Sequence, residues 1–550
     1  MNKPKLKIGL FVEDYYVENW FYALVEKIFN SNSLEICLVI KNNSKRPINS
    51  SKFSDKIWTF ICHLYFTIYA NIEKKITGRN SIVFQAKNLK GLLKLEEIII
   101  SNNRKKTPHF FNEEQIKKIK SKRLDVILCQ ESNNFLIELS KFSKNGIWYY
   151  KHGNYNVETN KLSGVWETLK KDFETKVSLN VFKDNNEITI YKTAFNTDHL
   201  FIWRNRHNVF WKSKFLIERK LNELHEFGSD LFFQKAESQN KIQENNQKLY
   251  KTPNNFETIK YISKLYYLAF IKVIKRQFYF DQWILLFSLK ENDKKSRNFK
   301  NFIRLLPPKD RFWADPFILK KDKYFIFIEE LLYKENKGKI SVIEMDDNGN
   351  YTKPEVVLET GYHLSYPFLI EDDNELYMLP ETQQNGTIEL YKCIEFPKKW
   401  KLEKILLSNI KAVDSTIYKH NDKYWLFTNL AEYNGENVIN ELFLFYSDSL
   451  LSDTWISHPQ NPITTDHTFS RPAGSIFKHE TKLYRPSQNC SKHYGYGIQL
   501  QEIIKLTETE YQEKNIESIY PDWDNDLLST HTINTLGNLT IIDAKISRKK

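Results

Sequence analysis

The sequence is poor in the residues that mark several classes of protein. Its 550 residues include only 5 Cys, 16 Gly and 16 Pro. So little glycine and proline excludes collagen-like and low-complexity chains. The five cysteines lie far apart and form no C-x-x-C pair. This spacing excludes a disulfide framework and favours a reducing compartment.

Long apolar runs are also missing. The N-terminus lacks the continuous apolar stretch of a signal peptide. The most apolar early stretch, residues 57–72, contains His63 and Asn71 and is too short to span a bilayer. We therefore expect a cytoplasmic protein, with the inner face of the membrane as an alternative position.

Positive charge is in excess, with a net charge of +13 and a pI near 9.0. Such a balance suits anionic partners such as sugar phosphates, nucleotide sugars or an acidic membrane surface, but it also describes a solvated lysine-rich surface. Zinc-finger, homeodomain and aromatic RNA-binding signatures are absent from the sequence, so we expect no nucleic-acid partner. With neither an H-x-x-x-H motif nor a cysteine cluster, no metal site is predicted.

Aromatic residues are abundant, with 12 Trp, 30 Tyr and 38 Phe, which favours β-rich structure. The chain is too long for a single hydrophobic core, so at least two domains are expected. In its first part, short apolar runs at 6–12, 35–40 and 125–129 alternate with helical patterns. This alternation predicts an α/β domain with a parallel sheet over residues 1–230.

Residues 231–279 are predicted to connect this domain to the next. Residues 234–256 are polar and linker-like, and residues 257–276 form a basic amphipathic helix. Such a helix can lie on an anionic membrane or pack its apolar side against a neighbouring domain.

An internal repeat occupies residues 280–550. Each copy opens with a polar residue, and the openings are 51, 48, 57 and 60 residues apart, the length of a four-stranded blade. We therefore predict an all-β five-bladed propeller, with residues 282–289 completing the last blade. The five opening residues converge on the central axis, and they are Asp315, Tyr366, Asp414, Arg471 and His531.

A second set of equivalent positions follows at the ends of the second strands. This set either forms a second polar layer or lies at the blade edges. Its members are Glu329, Glu381, Asn429, Gln488 and Asp543.

Several motifs of the repeat occur together in known propellers. The opening WADP with the VDST at Asp414 resembles the five-bladed arabinanase, levansucrase and invertase glycosidases. The longer series FWADPFI, IEE, HLSYPF, YMLPET, VDST, RPAG and HT more closely resembles the N-terminal propeller of glucosamine inositolphosphorylceramide transferases and their bacterial relatives.

The glycosidase resemblance implies that Asp315 acts as base or nucleophile and that Asp414 tunes it. The proton donor of those enzymes opens blade 4, where this chain has Arg471, which can clamp a phosphate or carboxylate. Glu381 could replace the donor, but its position in the repeat is expected to place it at the opposite end of a strand. Hydrolysis is therefore disfavoured, since it needs a second carboxyl group. The substrate-binding residues predicted are Tyr366, Glu381, Arg471, His531, Glu329 and Gln488.

The first domain resembles formyltransferases through its N-terminal strand, its DVILCQ strand and the segment WYYKHGN. His152 matches the catalytic histidine of that family, while Tyr150 stands where the family has asparagine. The resemblance implies a degenerate formyltransferase-like domain whose second pocket is formed by His152, Asn154 and Glu167.

These features predict a transferase that acts on an activated or anionic sugar in surface polysaccharide or glycolipid biosynthesis. A nucleotide sugar is the donor that such chemistry would use, and no other cofactor is predicted. Two alternatives remain open: a non-catalytic glycan-binding propeller on a degenerate transferase domain, and a glycoside hydrolase.

Overall fold

The computed structural model describes residues 3–42, 61–77, 82–93, 96–100, 111–130, 136–239, 248–289, 299–431 and 440–550. The chain forms two compact units, residues 1–269 and residues 270–550. The first unit continues past residue 230, where the sequence analysis ended the domain. Helix Ser229–Gln239 covers the start of the predicted linker, and residues 240–247 of that linker lie outside the described residues.

A seven-stranded sheet forms the centre of the first unit, in the order β10-β9-β7-β6-β1-β3-β5. Two small sheets, β2-β4 and β8-β11, lie beside it. The strands are β1 (Leu6–Val12), β2 (Tyr16–Glu18), β3 (Leu34–Asn42), β4 (Ala86–Asn88), β5 (Glu97–Ile100), β6 (Val126–Cys129), β7 (Ile147–His152), β8 (Asn156–Val157), β9 (Glu174–Lys183), β10 (Asn186–Asn196) and β11 (Leu249–Tyr250).

This sheet is mixed, whereas the sequence predicted a parallel sheet. Strands β5, β3, β1, β6 and β7 are parallel, but β9 runs antiparallel to β7 and forms a hairpin with β10. Asp184 and Asn185 at the hairpin turn both have positive φ, the conformation that tight two-residue turns require. A tight hairpin forces its two strands to be antiparallel, and this explains the direction of β10 relative to β9.

Helices cover both faces of the sheet. One face packs against the apolar sides of α1, α6 and α7, and the other against α3 and α4. Burial on both faces explains why the strands are continuous apolar runs. The helices are α1 (Asn19–Phe29), α2 (Leu64–Thr77), α3 (Glu113–Ser121), α4 (Leu136–Ser140), α5 (Val165–Lys170), α6 (Ile202–Ser213), α7 (Leu216–Phe227), α8 (Ser229–Gln239) and α9 (Asn255–Phe278).

The second unit is a five-bladed β-propeller, as predicted. Its first four blades are consecutive four-stranded antiparallel sheets. They comprise β14 (Arg311–Lys320), β15 (Tyr324–Leu332), β16 (Lys337–Met345) and β17 (Glu355–Leu358); β18 (Ser365–Asp372), β19 (Glu375–Glu381), β20 (Thr387–Glu395) and β21 (Lys399–Ser408); β22 (Ala412–His420), β23 (Lys423–Leu430), β24 (Leu442–Ser447) and β25 (Ile456–Ser457); and β26 (Phe477–His479), β27 (Lys482–Asn489), β28 (Gly497–Leu506) and β29 (Tyr511–Ile519).

The fifth blade closes the ring by joining the two ends of the repeat region. It combines β12 (Tyr279–Ser288) and β13 (Ile303–Leu305) with β30 (Leu527–Ser529), β31 (Ile533–Leu536) and β32 (Leu539–Lys549). β12 pairs with β32 along its whole length, from Tyr279 to Ser288. This pairing confirms that the strand near 282–289 completes the last blade, and it removes the open edges that the first and last strands would otherwise expose.

The inner strands of blades 1 to 3 share an irregularity at their opening residues. Asp315, Tyr366 and Asp414 have φ of 48°, 47° and 49°. At each of them the pairing with the second strand shifts register. A bulge of this kind re-aims the side chain of the extra residue. Left-handed backbone is unfavourable for a bulky residue such as Tyr366, so the surrounding blade must hold it in place.

Candidate functional site

The two predicted sets of polar residues meet around the propeller axis. In blades 1 to 3 the end of the second strand pairs with the residue before the bulge, as in Glu381 with Ser365 and Asn429 with Val413. The argument that Glu381 lies at the opposite end of a strand was therefore wrong. In an antiparallel hairpin the end of the second strand returns to the start of the first. Both sets of residues therefore lie at the same end of the inner hairpins.

Asp414 and Arg471 form the centre of the site. The Arg471 guanidinium donates from Nε and Nη2 to the two carboxylate oxygens of Asp414, with Nη2 at 3.2 Å from Oδ1. Gln488 Nε2 donates to Asp414 Oδ2 at 2.8 Å. Arg471 is thus held by a carboxylate from the neighbouring blade, and its Nη1 remains directed away from these contacts. Both partners are buried, which makes the pair costly to separate.

Glu381 lies beside this pair. Its Oε2 is 3.6 Å from Arg471 Nη2, and its carboxyl group interacts with that of Asp414. Burial raises the pKa of Glu381 well above its ordinary value, and the nearby charge of Asp414 raises it further. A shift in this direction favours the protonated form, which is the form that a general acid needs.

A second cluster of carboxyl side chains lies beside His531. Its Nδ1 lies 2.5 Å from Asp543 Oδ2 and 3.8 Å from Asp315 Oδ1. Burial alone would lower the pKa of His531, but the carboxylates of Asp543 and Asp315 raise it overall. Burial also raises the pKa of Asp315 to about 7, and the His531 charge only partly opposes this. Thr532 donates its hydroxyl to Asp315 Oδ1 at 2.6 Å.

Asp315, His531 and Asp543 also form a donor set that could hold a cation. Each offers one ligand atom, and these atoms lie within 4.8 Å of one another. Their separation along the chain hides this grouping from any search for ligand spacing. The same carboxylate oxygens already accept hydrogen bonds, including two from the backbone N–H groups of His531 and Thr532 to Asp543 Oδ1.

Tyr366 links three blades. Its ring is fully buried, and its hydroxyl accepts a hydrogen bond from the Gly474 N–H at 2.9 Å and lies 2.9 Å from Thr416 Oγ1. These bonds join blade 2 to blades 3 and 4. Tyr366 is therefore held in place by its own hydrogen bonds.

Glu329 contacts a histidine that the sequence analysis did not select. His363 Nε2 lies 3.2 Å from Glu329 Oε1, and His363 Nδ1 accepts from the Gly338 N–H at 2.9 Å. Burial opposes protonation of His363, but its hydrogen bond to Glu329 raises its pKa overall. His363 opens the HLSYPF motif, so its place in that motif was the signal that could have identified it.

Asn429 has an unusual position in the ring. Its side chain is completely buried, and neither Oδ1 nor Nδ2 has a hydrogen-bond partner among the described residues. Buried amides are nearly always paired, so the unpaired Asn429 amide next to Asp414 in the repeat is an exception that favours a binding role.

Two aromatic residues that the sequence analysis missed border the charged groups. Tyr494 is 38% exposed, lies 4.9 Å from the Arg471 guanidinium and contacts the His531 ring edge-on at 5.4 Å. Trp283 stacks on His531 with ring centroids 4.0 Å apart. The repeat pattern could not reveal either residue, because Tyr494 lies in a loop and Trp283 precedes the first copy.

The proposed second pocket of the first unit is only partly assembled. Glu167 Oε1 accepts from the Asn154 N–H at 2.5 Å, and burial raises the pKa of Glu167 to about 7. His152 instead packs into the core, stacked on Phe210 at 3.9 Å with its Nε2 3.0 Å from Ser213 Oγ. The structure therefore brings Asn154 and Glu167 together and buries the His152 ring among aromatic side chains.

Comparison with known proteins gives a match to the propeller. Residues 307–524 match the family model described as glucosamine inositolphosphorylceramide transferase 1, N-terminal. This confirms the resemblance predicted from the propeller motifs. The chain is 36% identical over 206 residues to glucosamine inositolphosphorylceramide transferase 1 of Oryza sativa subsp. japonica, and 34% identical over 209 residues to that of Arabidopsis thaliana.

Each plant match covers 37% of this chain and 27% of the relative. The chain therefore spans about a quarter of the length of the curated relatives it matches. Among solved structures, the family 117 glycoside hydrolase Zg3597 of Zobellia galactanivorans is 12% identical, with a TM-score of 0.32 over 49% of this chain and 90% of its own. An exo-1,5-α-L-arabinanase from a bovine ruminal metagenomic library is 15% identical, with a TM-score of 0.30 over 45% of this chain and 96% of its own.

Proposed function

We propose that the propeller funnel binds a sugar or sugar phosphate and that the protein is a transferase of glycolipid or surface-polysaccharide assembly. The observation that supports the proposal is the buried Asn429 amide, whose polar atoms lack hydrogen-bond partners among the described residues. This amide offers two donors and an acceptor. A polyhydroxylated ligand supplies hydroxyl groups that can both donate and accept, so it suits such a lining.

The charged groups suit an anionic substituent on that sugar. Arg471 keeps its Nη1 outside the pair with Asp414, and the neighbouring Asp543 and Asp315 raise the pKa of His531. The name of the plant relatives combines an amino sugar with a phosphoryl lipid, which supports a ligand of this class. A nucleotide sugar is the donor we propose for the transfer.

A binding experiment with the full chain tests this proposal. The probes are glucosamine, glucosamine 1-phosphate and inositol 1-phosphate, titrated by calorimetry into wild type and Asn429→Leu. We expect the phosphorylated probes to bind wild type and to lose at least about tenfold in affinity in the variant, because each unpaired polar contact to a ligand is worth about 1–3 kcal/mol.

The stability of the variant supplies the control. Leucine removes a buried amide that has no partner, so Asn429→Leu should unfold no more easily than wild type. The matched variant Asn534→Leu should be destabilised, because Asn534 Nδ2 donates to the Pro316 carbonyl and its Oδ1 accepts from the Ser475 N–H. Equal affinity of wild type and Asn429→Leu for every probe, or no binding by wild type, would refute the proposal.

Glycoside hydrolysis is a second candidate that one observation favours. Glu381 supplies a second carboxyl group beside Asp414 and Arg471, and burial raises its pKa well above its ordinary value, so it is a candidate acid in place of the blade 4 position that Arg471 occupies. In this alternative Glu381 donates a proton to the leaving oxygen and Asp315 or Asp414 is the partner carboxylate. Turnover of an aryl glycoside that disappears in both Glu381→Gln and Asp315→Asn would favour hydrolysis over transfer.

A binding module without catalysis would show a different pattern. Glu381→Gln should then leave probe binding intact with no turnover to lose, whereas an enzyme keeps binding and loses its reaction. For the first unit we propose a formyltransferase-like domain that no longer transfers formyl groups. The burial of His152 against Phe210 and the presence of Tyr150 in place of asparagine both argue against that chemistry. The cytoplasmic location stays a prediction.

A further inference from the structure

An unpartnered apolar surface lies on the first unit. Helix α2 and Ile61, three residues before it, expose large apolar side chains at intervals of three or four residues. Each of them is 47–71% exposed. These residues, which we call the α2 stripe, are Ile61, Tyr65, Ile68, Ile72 and Ile76.

The first part of α9 carries a matching stripe. Its members are 53–76% exposed, while Thr258 and Leu265 on the opposite side of the helix are buried. These residues, which we call the α9 stripe, are Phe256, Ile259, Tyr266 and Tyr267. One side of each helix therefore packs on the unit while the other presents apolar groups to solvent.

The two helices begin side by side. Asn255 Nδ2 donates to the Ile61 carbonyl at 2.7 Å, and the Tyr65 N–H donates to Asn255 Oδ1 at 3.0 Å. His63 Nδ1 lies 2.9 Å from the Pro253 carbonyl oxygen. These bonds fix the starts of the stripes next to one another, so they can act together. Nine large apolar side chains exposed on two joined helices are more than scattered surface residues would give.

The charge around the stripes indicates what covers them. Lys74 and Lys75 lie at the end of α2, and Lys260 and Lys264 lie on α9. The acidic residues of these two segments are Glu73, which is buried, and Glu257, which accepts a hydrogen bond from the Asn254 N–H. The exposed surface of both helices is therefore apolar and cationic.

We propose that the α2 and α9 stripes form an interfacial surface that binds an anionic lipid bilayer. Paired amphipathic helices with lysines beside an apolar stripe lie in the plane of a membrane, with the apolar side chains below the headgroups. Tyr65, Tyr266 and Tyr267 suit the headgroup region, because each ring is apolar and its hydroxyl group can remain hydrated. Anionic headgroups then attract the lysines, each worth about tenfold or less in affinity.

A second copy of the chain is a poorer occupant of this surface. A two-fold interface would place each lysine of the surface against the same lysine-rich region of its partner, which is repulsive. Among the described residues no helix is both long and apolar enough to cross a bilayer, so the proposed contact is peripheral. The proposal does not depend on the chemistry of the funnel.

Flotation of the full chain with vesicles tests the surface. The vesicles are phosphatidylcholine alone or phosphatidylcholine mixed with phosphatidylglycerol. We expect wild type to float with the mixed vesicles, to bind much less to phosphatidylcholine alone, and to be released by salt. Ile68→Glu combined with Ile72→Glu, and Tyr266→Glu combined with Tyr267→Glu, should each reduce binding at least about tenfold.

Matched substitutions elsewhere keep the test specific. Ile394→Glu with Ile504→Glu places the same change on propeller residues that are 59% and 52% exposed, and it should leave flotation unchanged. Lys260→Ala with Lys264→Ala should weaken binding to the anionic vesicles by about tenfold or more, whereas Lys353→Ala with Lys478→Ala should not.

Sedimentation velocity without lipid tests whether a second copy of the chain, and not a bilayer, covers this surface. A wild-type dimer that Ile68→Glu with Ile72→Glu converts to a monomer would assign the surface to a second copy and overturn the proposal. The proposal also fails if folded wild type does not float with the anionic vesicles, or if both stripe variants float as well as wild type.

Discussion

His152 in the first unit and His531 in the propeller occupy environments that look alike in packing. Both side chains are buried, and each stacks on an aromatic ring, Phe210 at 3.9 Å or Trp283 at 4.0 Å, with an interplanar angle of 19°. Their titration is nevertheless opposite. Burial lowers the pKa of His152 to about 3, and the charge of Arg206 adds to this, whereas the carboxylates around His531 raise its pKa.

The difference lies in the polar partner of each ring. His152 meets the neutral hydroxyl of Ser213, but His531 meets the carboxylates of Asp543 and Asp315. Burial penalises the charged form equally in both places, and only a nearby opposite charge reverses the outcome. A buried histidine therefore belongs to a core or to a site according to its partners, and its sequence context alone does not decide between them.

The largest expected effect comes from removing the carboxylate of Asp543. We expect Asp543→Ala to lower the free energy of unfolding of the propeller by about 3–5 kcal/mol, because it breaks a buried ion pair and leaves backbone N–H groups unpaired. The pKa of His531 should fall, because only the more distant Asp315 remains beside the ring to raise it. Hydrogen exchange of propeller peptides reports the stability, and histidine NMR reports the pKa.

Two further variants keep this prediction testable. Asp453→Ala removes an exposed carboxylate paired with Lys404 and should cost no more than about 1 kcal/mol. Asp543→Asn retains an acceptor oxygen for the backbone and serves if the alanine variant does not fold. A pKa of His531 that is unchanged when the Asp543 charge is removed would contradict our explanation of the comparison.

The second prediction concerns the stability that the first unit loses at acid pH because of His152. Its pKa is about 3 in the folded state and about 6.5 when unfolded, so the folded state binds fewer protons between these values. The stability contributed by neutral His152 is complete above pH 6.5 and is lost as the pH falls towards 3. We expect His152→Leu to remove about 3 kcal/mol of the stability loss between pH 6.5 and pH 4.

Hydrogen exchange of peptides from the first unit measures this difference over the same pH range. His225→Leu is the matched control, since His225 lies half-exposed on α7 and hydrogen-bonds the Pro4 carbonyl. We expect the control to retain the acid sensitivity of wild type. An unchanged pH profile in His152→Leu would show that other groups cause the acid sensitivity.

In the propeller, Asp315 should give the opposite pH dependence. Its pKa is about 7 when folded and about 3.8 when unfolded, so the folded state binds more protons in between. The resulting stability is complete below pH 3.8 and is lost as the pH rises through 7. Asp315→Asn should remove about 2 kcal/mol of the stability difference between pH 5 and pH 7. Asp448→Asn, which alters an 86% exposed side chain, should leave the difference unchanged, and a similar flattening in both would contradict this assignment.

These residues show how much of the fold and of the candidate site can be predicted from the sequence. The five blades follow from turns and apolar strands that recur every 48 to 60 residues, and the repeat predicts Asp315, Asp414, Arg471 and His531 as neighbours. Both properties depend on local patterns that a folded propeller must keep. The closing strand β12 was also predictable, because five blades leave one blade incomplete.

The remainder depends on contacts between distant segments. The position inferred for Glu381 was wrong because it considered only the order of residues along the repeat. The antiparallel pairing of β18 with β19 brings the end of β19 next to the bulge in β18. His152 was selected from its motif, but its burial depends on Phe210 and Ser213 in a helix much later in the chain. Trp283 and Tyr494 lie outside the repeat, so no periodic signal identified them.

The smallest expected effect tests the aromatic partners, which are what the two histidines share. A protonated ring over an aromatic face gains about 0.5–1 kcal/mol, so Trp283→Leu should lower the pKa of His531 by less than one unit. Phe210→Leu should leave His152 neutral at pH 6, because His152 carries no positive charge that the Phe210 ring could stabilise. Histidine NMR titration of the two variants measures both. A drop of several units in Trp283→Leu would mean that stacking on Trp283, rather than the carboxylates of Asp543 and Asp315, keeps His531 protonated.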